Sequence, residues 1–141
     1  PDFGPSLVGP AGAVIVGARP FLIAFNFFLT TNDVSIAKTI AKKIRESDGG
    51  LAAVKAKGFL VDGQAQVSVN LVDFTRTPLH IVMERVSNLA TESHTQIDRS
   101  ELIGLIPQAA IFQTAAYYLK LPDFVSTRVF EQAFEQLSAP D

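Results

Sequence analysis

The chain of 141 residues contains no cysteine, no tryptophan, one methionine and two histidines. Without cysteine there is no disulfide scaffold and no thiolate metal site. The absence is compatible with a reducing compartment, and a cytoplasmic location is expected. The two histidines, His80 and His94, do not fall at metal-ligand spacing, so no metal is expected. No apolar run is long enough to span a bilayer. The longest, Pro20 to Leu29, is interrupted by Asn26, and a span needs about 20 apolar residues. No signal-peptide pattern is present. A GxGxxG opening a helix, a P-loop, GxSxG and HExxH are all missing. So is any dominance of one charge: 12 basic residues against 14 acidic ones give a net charge of −2, with no basic cluster beyond one helix. That argues against a nucleic-acid partner, and nothing points to a membrane one.

What is present is a globular composition, 48% apolar and 18% charged. A chain of this length is one domain's worth and can bury roughly 68–70% of its unfolded surface. It opens on Pro1 without an initiator Met, which reads as a processed or excised piece.

Pro1, Pro5, Pro10 and Pro20 share the first twenty residues with Gly4, Gly9, Gly12 and Gly17, so this segment reads as an ordered loop with exposed backbone groups. Within it, Ala13 to Val16 reads as a short strand. Phe21 to Leu29 is the strongest strand of the chain. Asn32 or Asp33 then caps a helix to about Glu46, with Ile36, Ala37, Ile40, Ala41 and Ile44 as its apolar stripe. Val54 to Val61 and Gln64 to Asp73 form a hairpin about Asp62-Gly63. The second of these strands alternates, with Ala65, Val67, Val69 and Leu71 on one face and Gln64, Gln66, Ser68 and Asn70 on the other. Thr77 as N-cap and Pro78 in the first turn open a second helix with Leu79, Val82, Met83, Val86, Leu89 and Ala90 buried. Thr95 to Ile97 and Glu101 to Ile106 suggest an interrupted last strand. Pro107 opens a third helix to about Leu119, and Ser126 to Leu137 is a fourth. This order predicts an α+β, ferredoxin-like sandwich (β-α-β-β-α-β) with extra C-terminal helices. Two helices cover one sheet face, and only the last helices remain to cover the other.

Several groups of residues are candidates for binding. The loop Gly4, Pro5, Ser6, Leu7, Val8, Gly9, Pro10, Ala11 and Gly12 combines glycines, which let backbone N–H groups approach a flat ligand, with prolines that keep it rigid. The same composition suits a rigid linker. Arg19 could grip a carboxylate or be an ordinary surface cation. Asn26 interrupts an apolar strand, and a buried amide needs a partner, either a neighbouring loop or a ligand. Gln66 and Asn70, with Gln64 and Ser68, make an uncharged hydrogen-bonding strand face suited to a heterocycle, or simply a solvated face. Lys38, Lys42 and Arg45 read as a solvated helix face, and His80 and His94 as structural or surface histidines.

Taken together, these blocks resemble the glutamate formiminotransferase family. They are Pro1-Asp2-Phe3-Gly4-Pro5, Gly17 through Asn26, Ile40 through Ser47 with Gly50, Ala65 through Leu71, Thr77-Pro78-Leu79-His80 and Ser100 through Pro107. They keep their order and spacing over residues 1 to about 120.

The resemblance implies a transferase that moves a formimino or formyl group between glutamate and tetrahydrofolate in histidine breakdown, with tetrahydrofolate as co-substrate. It implies two ferredoxin-like subdomains enclosing a folate tunnel, in a homodimer. Residues 1–12 would be the folate-contacting linker, with Gly4 to Gly12 as the folate-binding stretch, and residues 13–141 the C-terminal subdomain. This chain is one residue shorter in the loop and lacks a Trp that some members carry there. Arg19, Asn26, Gln66 and Asn70 are candidate substrate-binding residues. The family's catalytic histidine belongs to the N-terminal subdomain, so no catalytic residue is expected in this chain, which alone would be inactive. Its partners would be folate, formiminoglutamate and that N-terminal subdomain. The alternative is a stand-alone folate-binding or dimerisation module.

Overall fold

In a computed structural model, residues 1–18 and 20–138 are described. Strand β1 (Ile23–Leu29) is the apolar run broken by Asn26, and it lies inside the sheet. Ile23, Phe27 and Leu29 are wholly buried on one of its faces. Helix α1 (Val34–Ile44) follows a single capping residue, Asp33, whose Oδ1 accepts from the Ser35 N–H at 2.8 Å. Hydrogen bonding from Ser35, first its hydroxyl and then this N–H, holds the Asp33 carboxyl below its usual pKa. Ala37, Ile40, Ala41 and Ile44 form the expected buried stripe. The helix stops at Ile44, a 3-10 turn (Glu46–Asp48) follows, and Gly49 closes it in the left-handed region at φ 82°.

Strands β2 (Val54–Val61) and β3 (Gln64–Leu71) are the expected hairpin. Asp62 and Gly63 both have positive φ, as a two-residue type I′ turn requires. In mid-strand, β2 passes so close to α1 that a Cβ on Gly58 would lie 2.3 Å from the Lys38 nitrogen and 2.5 Å from the Ala37 carbonyl carbon. Only a residue without a side chain fits there.

Helix α2 (Leu79–Glu92) starts one residue later than expected. Pro78 is its N-cap, and the Thr77 hydroxyl donates instead to the Ala52 carbonyl at 2.7 Å, tying the helix entry to the segment before β2. Leu79, Val82, Val86, Leu89 and Ala90 are buried, while Met83 is half-buried at the rim of the core. Strand β4 (Ile97–Ile103) is continuous where an interrupted strand is expected. Its polar centre, Asp98-Arg99-Ser100, hides the strand from a hydrophobicity reading, but pairing to β1 uses backbone groups and holds throughout, with an irregularity at Phe28/Leu29.

All sheet pairings are antiparallel, and the strand order is β2-β3-β1-β4. The core lies between one sheet face and α1 with α2. This α+β architecture, with a four-stranded sheet and four α-helices among the described residues, is consistent with a ferredoxin-like arrangement.

Two further expectations are corrected. Ala13 to Val16 forms no strand: no sheet edge supplies it with backbone partners, and Val14, Ile15 and Val16 stand in solvent. The last helices do not cover the second sheet face. Helix α3 (Gln108–Tyr118) docks onto α2, on the helical side, with Ala110 in the core and Tyr117 stacked on His80 at 4.1 Å. Helix α4 (Phe130–Ser138) packs against the 3-10 turn before it (Ser126–Arg128). Among the described residues, no helix is long and apolar enough to cross a membrane.

The α2–α3 contact carries a pH dependence. His80 is 7% exposed, its Nδ1 has no hydrogen-bond partner, and burial lowers its pKa below the ordinary value near 6.5, with Glu84 opposing weakly. A base with a lowered folded pKa takes up a proton more readily when unfolded. Stability therefore falls as pH drops through the unfolded value of about 6.5 and continues to fall towards the folded one. His80→Phe keeps the stack on Tyr117 and removes the proton site. The expected result is a shallower loss of melting temperature between pH 7 and 5 than in the wild type, read by thermal melts. Parallel curves would rule the account out.

Candidate functional site

The uncovered sheet face is built by alternation. Because β3 buries Ala65, Val67, Val69 and Leu71 against the helices, Gln64, Gln66, Ser68 and Asn70 emerge on the opposite side. The register places them in rows across the four strands. One row runs Lys57, Ser68, Asn26, Glu101, and the next runs Phe59, Gln66, Phe28, Arg99. A third runs Lys55, Asn70, Ala24, Ile103.

The Lys57 row is polar from end to end. Asn26 is half-buried, and its Nδ2 donates to Glu101 Oε2 at 3.1 Å. The Phe59 row is an aromatic bed. The Arg99 guanidinium lies over the Phe28 ring at 3.5 Å from its centre, a cation–π contact, leaving Phe28 3% exposed. Gln66, between the two rings in register, is 6% exposed. A depression of about 610 Å³ opens along the β2 side, where Lys55, Lys57, Phe59, Ser68 and Asn70 line it together with Arg45, Glu46 and Ser47 from the turn after α1. Apolar area with a few convergent polar groups and edge cations suits a flat, polar heterocycle that carries anionic groups.

The structure brings Asn26, Gln66 and Asn70 together on this face, as neighbours on β1 and β3. The Gly4 to Gly12 loop is not joined to them. Its residues are all exposed, and its own turn is closed by the Gly12 N–H donating to the Gly9 carbonyl at 3.0 Å. Arg19 lies outside the described residues. Neither histidine reaches the face: His80 is buried between α2 and α3, and His94 is the left-handed residue that ends α2, at φ 55°. Beside Tyr117, burial and the Glu84 carboxylate raise the Tyr118 phenol above its ordinary pKa.

Sequence reasoning missed Glu101, Arg99, Phe28 and Phe59. Phe28 lies two residues beyond Asn26 on β1 and shares its face by alternation, whereas for Phe59, Arg99 and Glu101 the strand register supplies the neighbourhood. Among the described residues, no group of three or more His, Cys, Asp and Glu side chains could hold a metal ion.

The fold and this face define an α+β domain with one sheet surface finished for packing and the other for hydrogen bonding. Residues 24–133 match the formiminotransferase domain. The chain is 42% identical over 138 residues to a glutamate formimidoyltransferase of Thermoplasma acidophilum, covering 96% of this chain and 46% of that protein. It is 41% identical over 127 residues to a glutamate formimidoyltransferase of Streptococcus pyogenes, covering 88% and 42%. It is 40% identical over 129 residues to the formimidoyltransferase-cyclodeaminase of Gallus gallus, covering 85% and 24%. The chain belongs to the formiminotransferase domain family. It spans about half the length of the glutamate formimidoyltransferases it matches.

Proposed function

We propose that this chain is the folate-facing C-terminal half of a glutamate formimidoyltransferase acting in histidine degradation. The observation that carries the reading is the 42% identity with a protein of that name, extending over 96% of this chain and 46% of the other. The uncovered sheet face supports it, since its centre of amide and hydroxyl groups, flanked by Lys55, Lys57, Arg99 and Glu101 and by the exposed Phe59 ring, suits a ligand or a covering layer.

In this reading residues 13–141 form a ferredoxin-like subdomain. Residues 1–12 link it to an N-terminal subdomain whose sheet closes over the open face, making a tunnel, in a cytoplasmic homodimer. Tetrahydrofolate lies on the face as co-substrate. The residues present suit it: Asn26, Gln66, Ser68 and Asn70 match a pteridine's N–H and C=O groups, and the exposed Phe59 ring its plane. Lys55 and Lys57, which form no salt bridge among the described residues, suit the carboxylates of folate or of formiminoglutamate. Gly4 to Gly12 folds over the ligand, and Arg19 holds a substrate carboxylate.

The reaction joins the folate N5 to the formimino carbon and breaks that carbon's bond to the glutamate nitrogen. A proton passes from N5 to the departing nitrogen through a base of the N-terminal half. This chain binds and orients. It has no histidine on the open face to act as that base, so alone it is inactive.

Calorimetric titration of the chain with 5-formyltetrahydrofolate tests the reading. One-site binding, weakened by deletion of residues 4–12, is the expected result. No binding heat at millimolar ligand, both for the chain and for the chain mixed with its N-terminal half, would remove folate from the open face.

A further inference from the structure

Glu101 lies seventy-five residues from Asn26 in the sequence and directly beside it in the sheet. Its carboxylate is acceptor-only when ionised, whereas an amide side chain offers a donor at one end and an acceptor at the other. The orientation of such an amide is dictated by its partners. Here the Asn26 nitrogen is committed to Glu101 Oε2 at 3.1 Å. The Asn26 oxygen therefore turns away from β4, toward the Ser68 side and the open face, as a fixed acceptor.

We propose that Glu101 is a positioning residue: it locks the Asn26 amide so that its oxygen accepts an N–H of the tetrahydrofolate ring system. This rests on the transferase reading above and deepens it, because it assigns a polarity to the site. The centre of the face selects a ligand that donates at this point, and a ring offering a bare acceptor lone pair there is rejected. The gain lies in ligand binding, since the locked amide is the same before and after group transfer.

The test uses the complete transferase carrying this chain, with tetrahydrofolate and formiminoglutamate as substrates. Glu101→Leu is expected to raise the KM for tetrahydrofolate about tenfold, one hydrogen bond's worth, with kcat within about twofold of wild type. Glu101→Gln, whose side-chain oxygen accepts the same proton, is expected to recover most of the loss. Glu101→Lys is donor-only and turns the amide round, so its KM is expected to exceed that of Glu101→Leu. Combining Glu101→Leu with Asn26→Leu is expected to add nothing beyond Asn26→Leu alone. If Glu101→Leu loses its cooperative melt, Glu101→Thr, too short to reach the amide, takes its place.

Unchanged KM in the leucine or threonine variant, or additive effects in the double variant, would overturn the positioning role and leave the transferase reading standing. A wild-type protein that transfers no formimino group overturns both.

Discussion

Gly58→Val is expected to cost this domain most of its stability, and Gly58→Ala about 3 kcal/mol. A Cβ at position 58 would sit 2.3 Å from the Lys38 nitrogen, 2.5 Å from the Ala37 carbonyl carbon and 2.7 Å from the Lys38 Cα. All three are backbone atoms of α1, so no side-chain rotation relieves the overlap, and the helix must move off the sheet. Its stripe of Ala37, Ile40, Ala41 and Ile44, each at most 1% exposed, then loses contact with β2 and β3. The sign is informative. An interior strand glycine is ordinarily a weakness, and replacing it by alanine should stabilise by roughly 0.5–1 kcal/mol. The helix contact reverses that expectation. Urea melts would show it as a lowered midpoint at constant slope, and thermal melts as a loss of roughly 10 °C for the alanine variant. A Gly58→Ala protein as stable as wild type would mean that α1 does not sit this close to β2.

Gly58 also shows where a sequence stops being legible. The apolar stripe of α1, the strict alternation of β3 and the Asp62-Gly63 turn are local patterns, each set by residues a few positions apart, and each is found where expected. Gly58 differs from an incidental strand glycine only because Ala37 and Lys38, twenty residues earlier, lie against it. Thr77 has the composition of an N-cap, yet its hydroxyl goes to Ala52, because a carbonyl brought near by the fold outcompetes the helix start. The interrupted last strand is the same error in another form. Asp98, Arg99 and Ser100 lack the pattern of a strand, but an edge strand held by backbone pairing does not need one.

The site divides along that line. Asn26, Gln66 and Asn70 announce themselves, as polar residues in strands whose other face is apolar. Their partners Glu101 and Arg99 do not, because only the β1–β4 register brings them into the rows. The family resemblance is borne out by the match over residues 24–133. The Gly4 to Gly12 loop was legible as a rigid, glycine-punctuated segment, whereas its placement depends on atoms outside its own sequence. In this chain it is exposed throughout.

Asn26→Leu combined with Gln66→Leu is expected to separate stability from function more sharply than any single change. Both side chains sit at the centre of the open face, Gln66 at 6% exposure and Asn26 half-buried against Glu101. In the folded domain they do little for the core, which lies on the other side of the sheet. Leucine is close to both in volume and removes polar groups that are costly to keep out of water, so the melting temperature should hold or rise. Glu101 loses its partner but reaches solvent, so no buried charge is stranded. Ligand binding should move the other way. Two hydrogen bonds to a heterocycle at about tenfold each predict roughly a 100-fold rise in the KM for tetrahydrofolate in the complete enzyme, near 2.7 kcal/mol. The KM for formiminoglutamate should change far less. The contrast is diagnostic because natural binding faces keep polar groups that the isolated fold would be more stable without. A double variant that is destabilised while its folate affinity stays within threefold would make these amides structural, and the ligand would have to lie elsewhere on the sheet.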